Sequence, residues 1–187
     1  MTEQEFLTLV RRIPVNAAIL DRLPDLCVPQ AHLTAGALFG TVWNVQAGRP
    51  PGAEIADYDL FYWDDDLSYE AEDAVIRRAQ LLFADLPGPV EVRNQARVHL
   101  WFRQKTGLDR PALRSARDGI DQFLVAGTAL GIDARGEVYA PFGLHDLAAG
   151  VLRPNPRNHT PGLYQAKVDS YRRRWPWLTD TGFASSP

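Results

Sequence analysis

Cysteine is almost absent from this chain. Cys27 stands alone among 187 residues, so no intrachain disulfide closes, no Cys-rich zinc site is available, and no disulfide partner is expected. Long apolar runs are missing too. No stretch approaches the roughly 20 apolar residues that span a bilayer, and Met1-Thr2-Glu3-Gln4-Glu5 is acidic where a secretory leader is basic. The expected location is cytoplasmic, with no membrane partner. Charge of one sign is lacking as well: 20 basic against 23 acidic residues leave a net charge of -3, which gives no global attraction to nucleic acid or to an anionic surface. Internal repeats and low-complexity tracts do not occur. What remains is a chain of 187 residues with 45% hydrophobic content, enough for one full core and too short for two. A single domain is expected.

Thr2 followed by Glu5 predicts a capping box for a first helix carrying Phe6, Leu7 and Val10, closed by Pro14. Asn16 is the expected cap of a second helix with Ala18, Ile19 and Leu20, ending before Pro24. Residues 1–30 thus read as a helical N-terminal extension. A short strand over 31–36 runs into a helix that stops near Gly48, and 49–52 is a Pro/Gly loop. A strand over 55–63 follows, then a helix opened by Ser68 and ended by Pro87-Gly88. Residues 90–101 alternate and predict a further strand, with Asn94-Gln95 as an interruption. A short helix over 115–123, a hairpin turning at 133–136, a short helix starting at His145 and Asp146, and a helix over 163–175 complete the pattern. Residues 182–187 are expected to be a disordered tail.

The most informative local feature is Asp57-Tyr58-Asp59 inside a run rich in β-branched and aromatic residues. Period-two alternation places both carboxylates on one face of a strand, roughly 6 to 7 Å apart at Cα. At an effective dielectric near 20 such a pair repels by about 3 kcal/mol, so a cation or a proton belongs between them. Hard oxygen donors with no neighbouring His/Cys cluster favour Mg2+ or Mn2+. Gly36 precedes a helix start, where free N–H groups and the helix dipole attract an anion. A metal clamp, a Gly turn and cationic donors are the parts that a phosphoryl-transfer site requires.

Thr34-Ala35-Gly36-Ala37-Leu38, Thr41-Val42-Trp43, Asp57 to Asp64, Arg93-Asn94-Gln95-Ala96-Arg97-Val98-His99 and Ala140-Pro141-Phe142-Gly143-Leu144 together resemble a bacterial family of nucleotidyltransferases, over about residues 31–178. The Asn94-Gln95-Ala96-Arg97 and Pro141-Phe142-Gly143-Leu144 blocks are the specific ones. The resemblance implies an α+β fold of the polymerase-beta type, a small mixed β-sheet flanked by helices, similar to the head domain of tRNA nucleotidyltransferases. It implies that a nucleoside triphosphate binds with Mg2+ held by Asp57 and Asp59, that Gly36, Ala37 and Thr41 line its phosphate turn, and that Arg93 and Arg97 sit near the triphosphate, Arg97 as a catalytic donor. Asn94, Gln95 and His99 are the corresponding polar contacts to sugar or phosphate. Glu91, on the strand expected beside the Asp pair, is the candidate general base.

Two departures bear on activity. The wider superfamily carries Gly-Ser or Gly-Gly where this chain has Gly36-Ala37, and Thr34 or Thr41 would have to supply the missing hydroxyl. Phe39-Gly40 stands where polar residues are expected. Arg172-Arg173-Arg174 with Trp175 and Trp177 reads as helix-end cations plus packing aromatics. The expected activity is transfer of a nucleoside monophosphate to an acceptor, whether a small molecule, an RNA end or a protein hydroxyl, with release of pyrophosphate. The alternatives are an inactive nucleotide- or partner-binding module on the same fold, and a metal-dependent phosphoester hydrolase.

Overall fold

In the computed structural model, which describes residues 1–183, the N-terminal capping box forms as its sequence dictates. Thr2 N–H donates to Glu5 at 2.7 Å and Glu5 N–H to Thr2 Oγ1 at 3.2 Å, and α1 (Glu3–Val10) buries Phe6 and Val10. The start of α2 (Pro14–Arg22) corrects the expectation. Pro14 occupies the first helical turn and Ile13 the cap, while Asn16 lies fully buried within the helix. Its amide donates to the carbonyls of Val10 and Ala37 at 3.2 and 3.0 Å, so a buried polar group joins three helices instead of capping one.

A 3-10 turn (Leu23–Leu26) leads to β1 (His32–Thr34), α3 (Gly36–Gln46), β2 (Tyr58–Tyr62), α4 (Tyr69–Leu82) and β3 (Val90–Asn94). Ser68 caps α4, its hydroxyl accepting from the Ala71 N–H at 3.2 Å. The expected strand over 90–101 ends early. Asn94 Oδ1 accepts from the Ala96 N–H at 3.0 Å, which turns the chain through a 3-10 turn (Gln95–Arg97) into α5 (Val98–Thr106). Arg97 and His99 are therefore on a helix start, not on a strand. α6 (Ala116–Asp121) follows, capped by Ser115, then β4 (Gly131–Asp133) and β5 (Val138–Tyr139) as the expected hairpin.

The sheet order is β3-β2-β1-β4-β5. β2 and β3 are parallel and the other pairs antiparallel, which gives the expected α+β single domain with a small mixed sheet and flanking helices. Register fixes the faces, since paired residues point the same way. Thr34 pairs with Asp59 and Gly131, and Asp59 with Glu91. One row along, His32 pairs with Phe61 and Asp133, and Phe61 with Arg93. The opposite face sends Leu33, Leu60, Tyr62 and Val92 into the core with Val75 and Ala79 of α4.

α7 (His145–Ala149), β6 (Val151–Leu152), α8 (Pro161–Arg174) and β7 (Thr179–Asp180) close the chain. The parallel β6–β7 pair has no signal in the sequence beyond two residues each. α8 packs on α3 through an aromatic cluster: Trp43 stands 5.4 Å from Tyr171 and 5.2 Å from Trp175, both edge-on. Both indole N–H groups are satisfied, Trp43 by the Leu147 carbonyl at 3.0 Å and Trp175 by Asn44 Oδ1 at 2.9 Å. Packing was the expected role of Trp175. Gly182 and Phe183 depart from the expected disordered tail: Gly182 N–H donates to Asp180 at 2.9 Å, and the Phe183 ring lies 4.6 Å from His159. Residues 184–187 lie outside the described residues. No helix among the described residues is long and apolar enough to cross a membrane.

Candidate active site

Alternation along β2 sends Tyr58, Leu60 and Tyr62 inward, so Asp59 and Phe61 face outward with Asp57 immediately before the strand. These three side chains form one wall of a cavity of about 600 Å³. Desolvation raises the Asp59 carboxyl pKa most, the charges of Asp57 and Glu91 add to that, and together, against Lys167 and Arg93, they push it up to about 6. The shared face and the mutual repulsion expected from Asp57-Tyr58-Asp59 are both present.

A second wall comes from the start of α3. Ala35, its cap residue, adopts φ 58°, ψ -139°, a backbone region that L-residues avoid. The Leu38 and Phe39 N–H groups bond back to the Ala35 carbonyl at 3.0 and 3.3 Å, which leaves Gly36 and Ala37 as the free donors of the first turn among the described residues. Ala35 and Gly36 line the cavity, and a Cβ built on Gly36 meets nothing within 4 Å. The turn that carries the free backbone donors and the two carboxylates thus line one cavity.

The cations come from elements that the sequence reading did not connect to the site. α8 carries Lys167, Tyr171 and Arg174 on one face toward the cavity, and α5 with its following loop brings Lys105 and Arg110. None of Lys105, Arg110, Lys167 and Arg174 forms a carboxylate ion pair among the described residues. Arg174 Nε is buried without a partner. Lys167 keeps surface in solvent as a residue, yet its ammonium is withdrawn from water at the cavity, which lowers its pKa together with Arg174 while Asp59 and Asp57 oppose. The spacing of Lys167, Tyr171 and Arg174 on one helix face was the available signal. Cations near a helix C-terminus read equally well as partners of the dipole.

Several expected contacts lie elsewhere. Arg97 does not line the cavity: its Nε is 3.0 Å from Glu72 Oε2, without the N–H pointing along that line, and Nη1 donates to the Leu67 and Ser68 carbonyls. Asn94, on the opposite face from Asp59, donates to the Asp64 carbonyl at 2.9 Å and accepts from the Asp64 N–H at 3.1 Å. Gln95 is buried against Gly119. Thr41 is fully buried with its hydroxyl on the Ala37 carbonyl at 2.7 Å, and Thr34 gives its own to the Leu130 carbonyl at 2.5 Å, so neither supplies the missing turn hydroxyl. The Ala37 side chain is likewise buried, leaving only its backbone N–H toward the site. His99 is half-buried, off the cavity wall, with Nδ1 unpartnered. Glu91 and Arg93 do flank Asp59 on the site face, 3.2 Å apart as an exposed ion pair.

A separate cavity of about 490 Å³ beside His32, Arg117 and Asp133 has its carboxylate already paired, Asp133 with Arg135 at 3.3 Å, and lacks a second acidic group.

None of the curated proteins matches the chain. Among solved structures it is similar to one determined by NMR and described as revealing a CCA-adding enzyme head domain, with 25% identity, a TM-score of 0.75, and coverage of 96% of this chain and 95% of that one. A family model described as nucleotidyltransferase matches residues 21–179, extending the resemblance upstream into α2. With the carboxylate pair, the Gly turn and the α+β sheet in their expected relation, the chain belongs to this nucleotidyltransferase family.

Proposed function

We propose that the cavity binds a nucleoside triphosphate and transfers its nucleoside monophosphate to a hydroxyl acceptor, releasing pyrophosphate. The observation that carries this reading is one cavity holding two repelling carboxylates, free helix N–H groups and four cations without carboxylate partners. A triphosphate is the ligand whose charge matches the second and third of these. The donor set fits a hard divalent cation: two oxygen-donor carboxylates line one cavity, and burial first, then the charges of Asp57 and Glu91, raise the proton affinity of Asp59, so a cation placed there would relieve the same penalty. Asp57 and Asp59 would hold Mg2+ or Mn2+, which when bound neutralises phosphate charge and polarises the phosphoryl group. No cluster of three or more His, Cys, Asp and Glu gathers for a metal among the described residues, so the pair relies on oxygens that the nucleotide brings.

In this reading the acceptor oxygen forms a bond to the α-phosphorus as the bond to the oxygen bridging the β-phosphate breaks, and pyrophosphate leaves with that electron pair. Glu91, beside Asp59 in register, takes the hydroxyl proton, directly or through water. Lys105, Arg110, Lys167 and Arg174 replace Arg97 as the donors that meet charge on the phosphates. The test is pyrophosphate release across a panel of triphosphates with extract-derived acceptors, wild type against Asp57→Asn. Release above that blank is expected. Nucleotide binding with no release above the blank supports the second reading, a binding module without turnover, which the commitment of both Thr34 and Thr41 hydroxyls to the core favours.

A further inference from the structure

α5 is a helix with very little to hold it. Of its nine residues only Val98 is buried, and Leu100 is 55% exposed. Its C-terminal end is closed by Gly107 at φ 75° and by an Arg103–Asp109 ion pair whose side chains are 75% and 79% exposed, a contact of small energetic value. Segments with so few apolar contacts open at low free energy. Yet this helix carries a dense set of ligand-facing groups. Trp101 and Phe102 are half-buried and line the cavity, ring centroids 6.3 Å apart. Lys105 Nζ lies 5.6 Å from the Trp101 ring centroid, and the Arg110 guanidinium 4.0 Å from that of Phe102. Two π-faces, each with a cation that lacks a carboxylate partner among the described residues, line the same cavity as the Asp57/Asp59 pair.

We infer that α5 is a clamping arm for the nucleotide, in which Trp101, with Phe102 beside it, stacks on the nucleobase while Lys105 and Arg110 draw the arm onto the triphosphate. This rests on the nucleotide reading above and adds the base subsite to it. Stacking accepts every base because each presents a π-face, so the arm recognises nucleotides as a class and leaves base choice to other groups. It also accounts for aromatic surface that neither sheet nor core uses. The arm is loose without ligand because its partner is the ligand.

Calorimetry with each ribonucleoside triphosphate and with inorganic tripolyphosphate, both with Mg2+, on wild type, Trp101→Ala and Trp101→Phe, tests the inference. Trp101→Ala is expected to weaken all four nucleotides by roughly five- to a hundredfold, to leave tripolyphosphate unchanged, and to be largely rescued by Trp101→Phe. Equal weakening of nucleotide and tripolyphosphate, or of neither, overturns the stacking role. In wild type, cleavage by trypsin after Arg103 and Lys105 should slow with tripolyphosphate, which engages Lys105 and Arg110, and slow further with nucleotide, which adds the stacked base; rates indifferent to nucleotide overturn the closure. If wild type binds tripolyphosphate as tightly as every nucleotide, the arm is rejected and the phosphate site stands. If it binds neither, the nucleotide reading fails and the arm with it.

Discussion

Arg97 and Glu72 meet where β3 turns into α5 alongside α4, Nε to Oε2 3.0 Å, each side chain only 13% exposed. Glu72 also accepts from the Asn94 N–H at 2.9 Å, and Arg97 reaches the Leu67 and Ser68 carbonyls ahead of α4. One guanidinium thus ties the end of the sheet to the start of a helix. Arg97→Ala is expected to destabilise the fold by about 3 kcal/mol, chiefly by stranding Glu72, with nucleotide affinity changed less than about twofold. Urea unfolding and calorimetry on the same variant check this. Unchanged stability with a tenfold loss of affinity would return Arg97 to the triphosphate.

Asp57→Asn/Asp59→Asn removes the repulsion and the hard donors together. Manganese binding in the presence of nucleotide should fall at least tenfold while circular dichroism stays unchanged. Retained manganese affinity places the metal elsewhere.

The Asp59 carboxyl, raised from 3.8 to about 6 chiefly by burial and then by Asp57, makes a signed prediction. Its native state binds the proton more tightly than the unfolded chain, so its stabilising share is complete below the unfolded pKa of 3.8, by about pH 3, and lost as pH rises through about 6. Without metal, wild type should therefore lose about 2 kcal/mol relative to Asp59→Asn between pH 4 and 7, most of the shift of roughly two pKa units at about 1.36 kcal/mol each. Denaturant midpoints at several pH values measure this, and an unchanging difference contradicts it. Protons should also compete with Mn2+, weakening its binding below pH 6.

Two neighbouring substitutions at the α3 turn should behave oppositely. A side chain at Gly36 finds no atom within 4 Å, so Gly36→Val should fold normally yet lose tenfold or more in nucleotide affinity by filling the space before the free N–H groups. Ala35→Gly should release the strain of φ 58°, ψ -139° and raise stability by about 1 kcal/mol. Wild-type affinity in folded Gly36→Val would make this turn purely structural.

The parts of the site legible in the sequence are those built by short-range rules. Asp57 and Asp59 share a face because strand side chains alternate, and Gly36 stands out because it breaks a strand before a helix. Glu91 was placed beside Asp59 on the same ground. The α5 residues were misread because Arg97, Val98, His99, Leu100 and Trp101 alternate as convincingly as a strand. What decides the conformation is the Asn94 side chain turning the chain at Ala96, a single hydrogen bond that hydrophobic periodicity does not encode. Lys167 and Arg174 were missed for another reason. Their contribution depends on where α8 docks, and that is set by Trp43, Tyr171 and Trp175 meeting across more than a hundred residues of chain.

That docking also sets a clock. The carboxylates and the Gly turn belong to the first third of the chain, but two of the cations facing them, and the indole that satisfies Asn44, arrive with α8. Synthesis proceeds from the N-terminus at about 5–20 residues per second. The carboxylates are therefore synthesised several seconds before Lys167 and Arg174, and a chain that stops short of α8 has Lys105 and Arg110 but not the full set of cations. If the cavity is the nucleotide site, full affinity is expected only of chains that include α8.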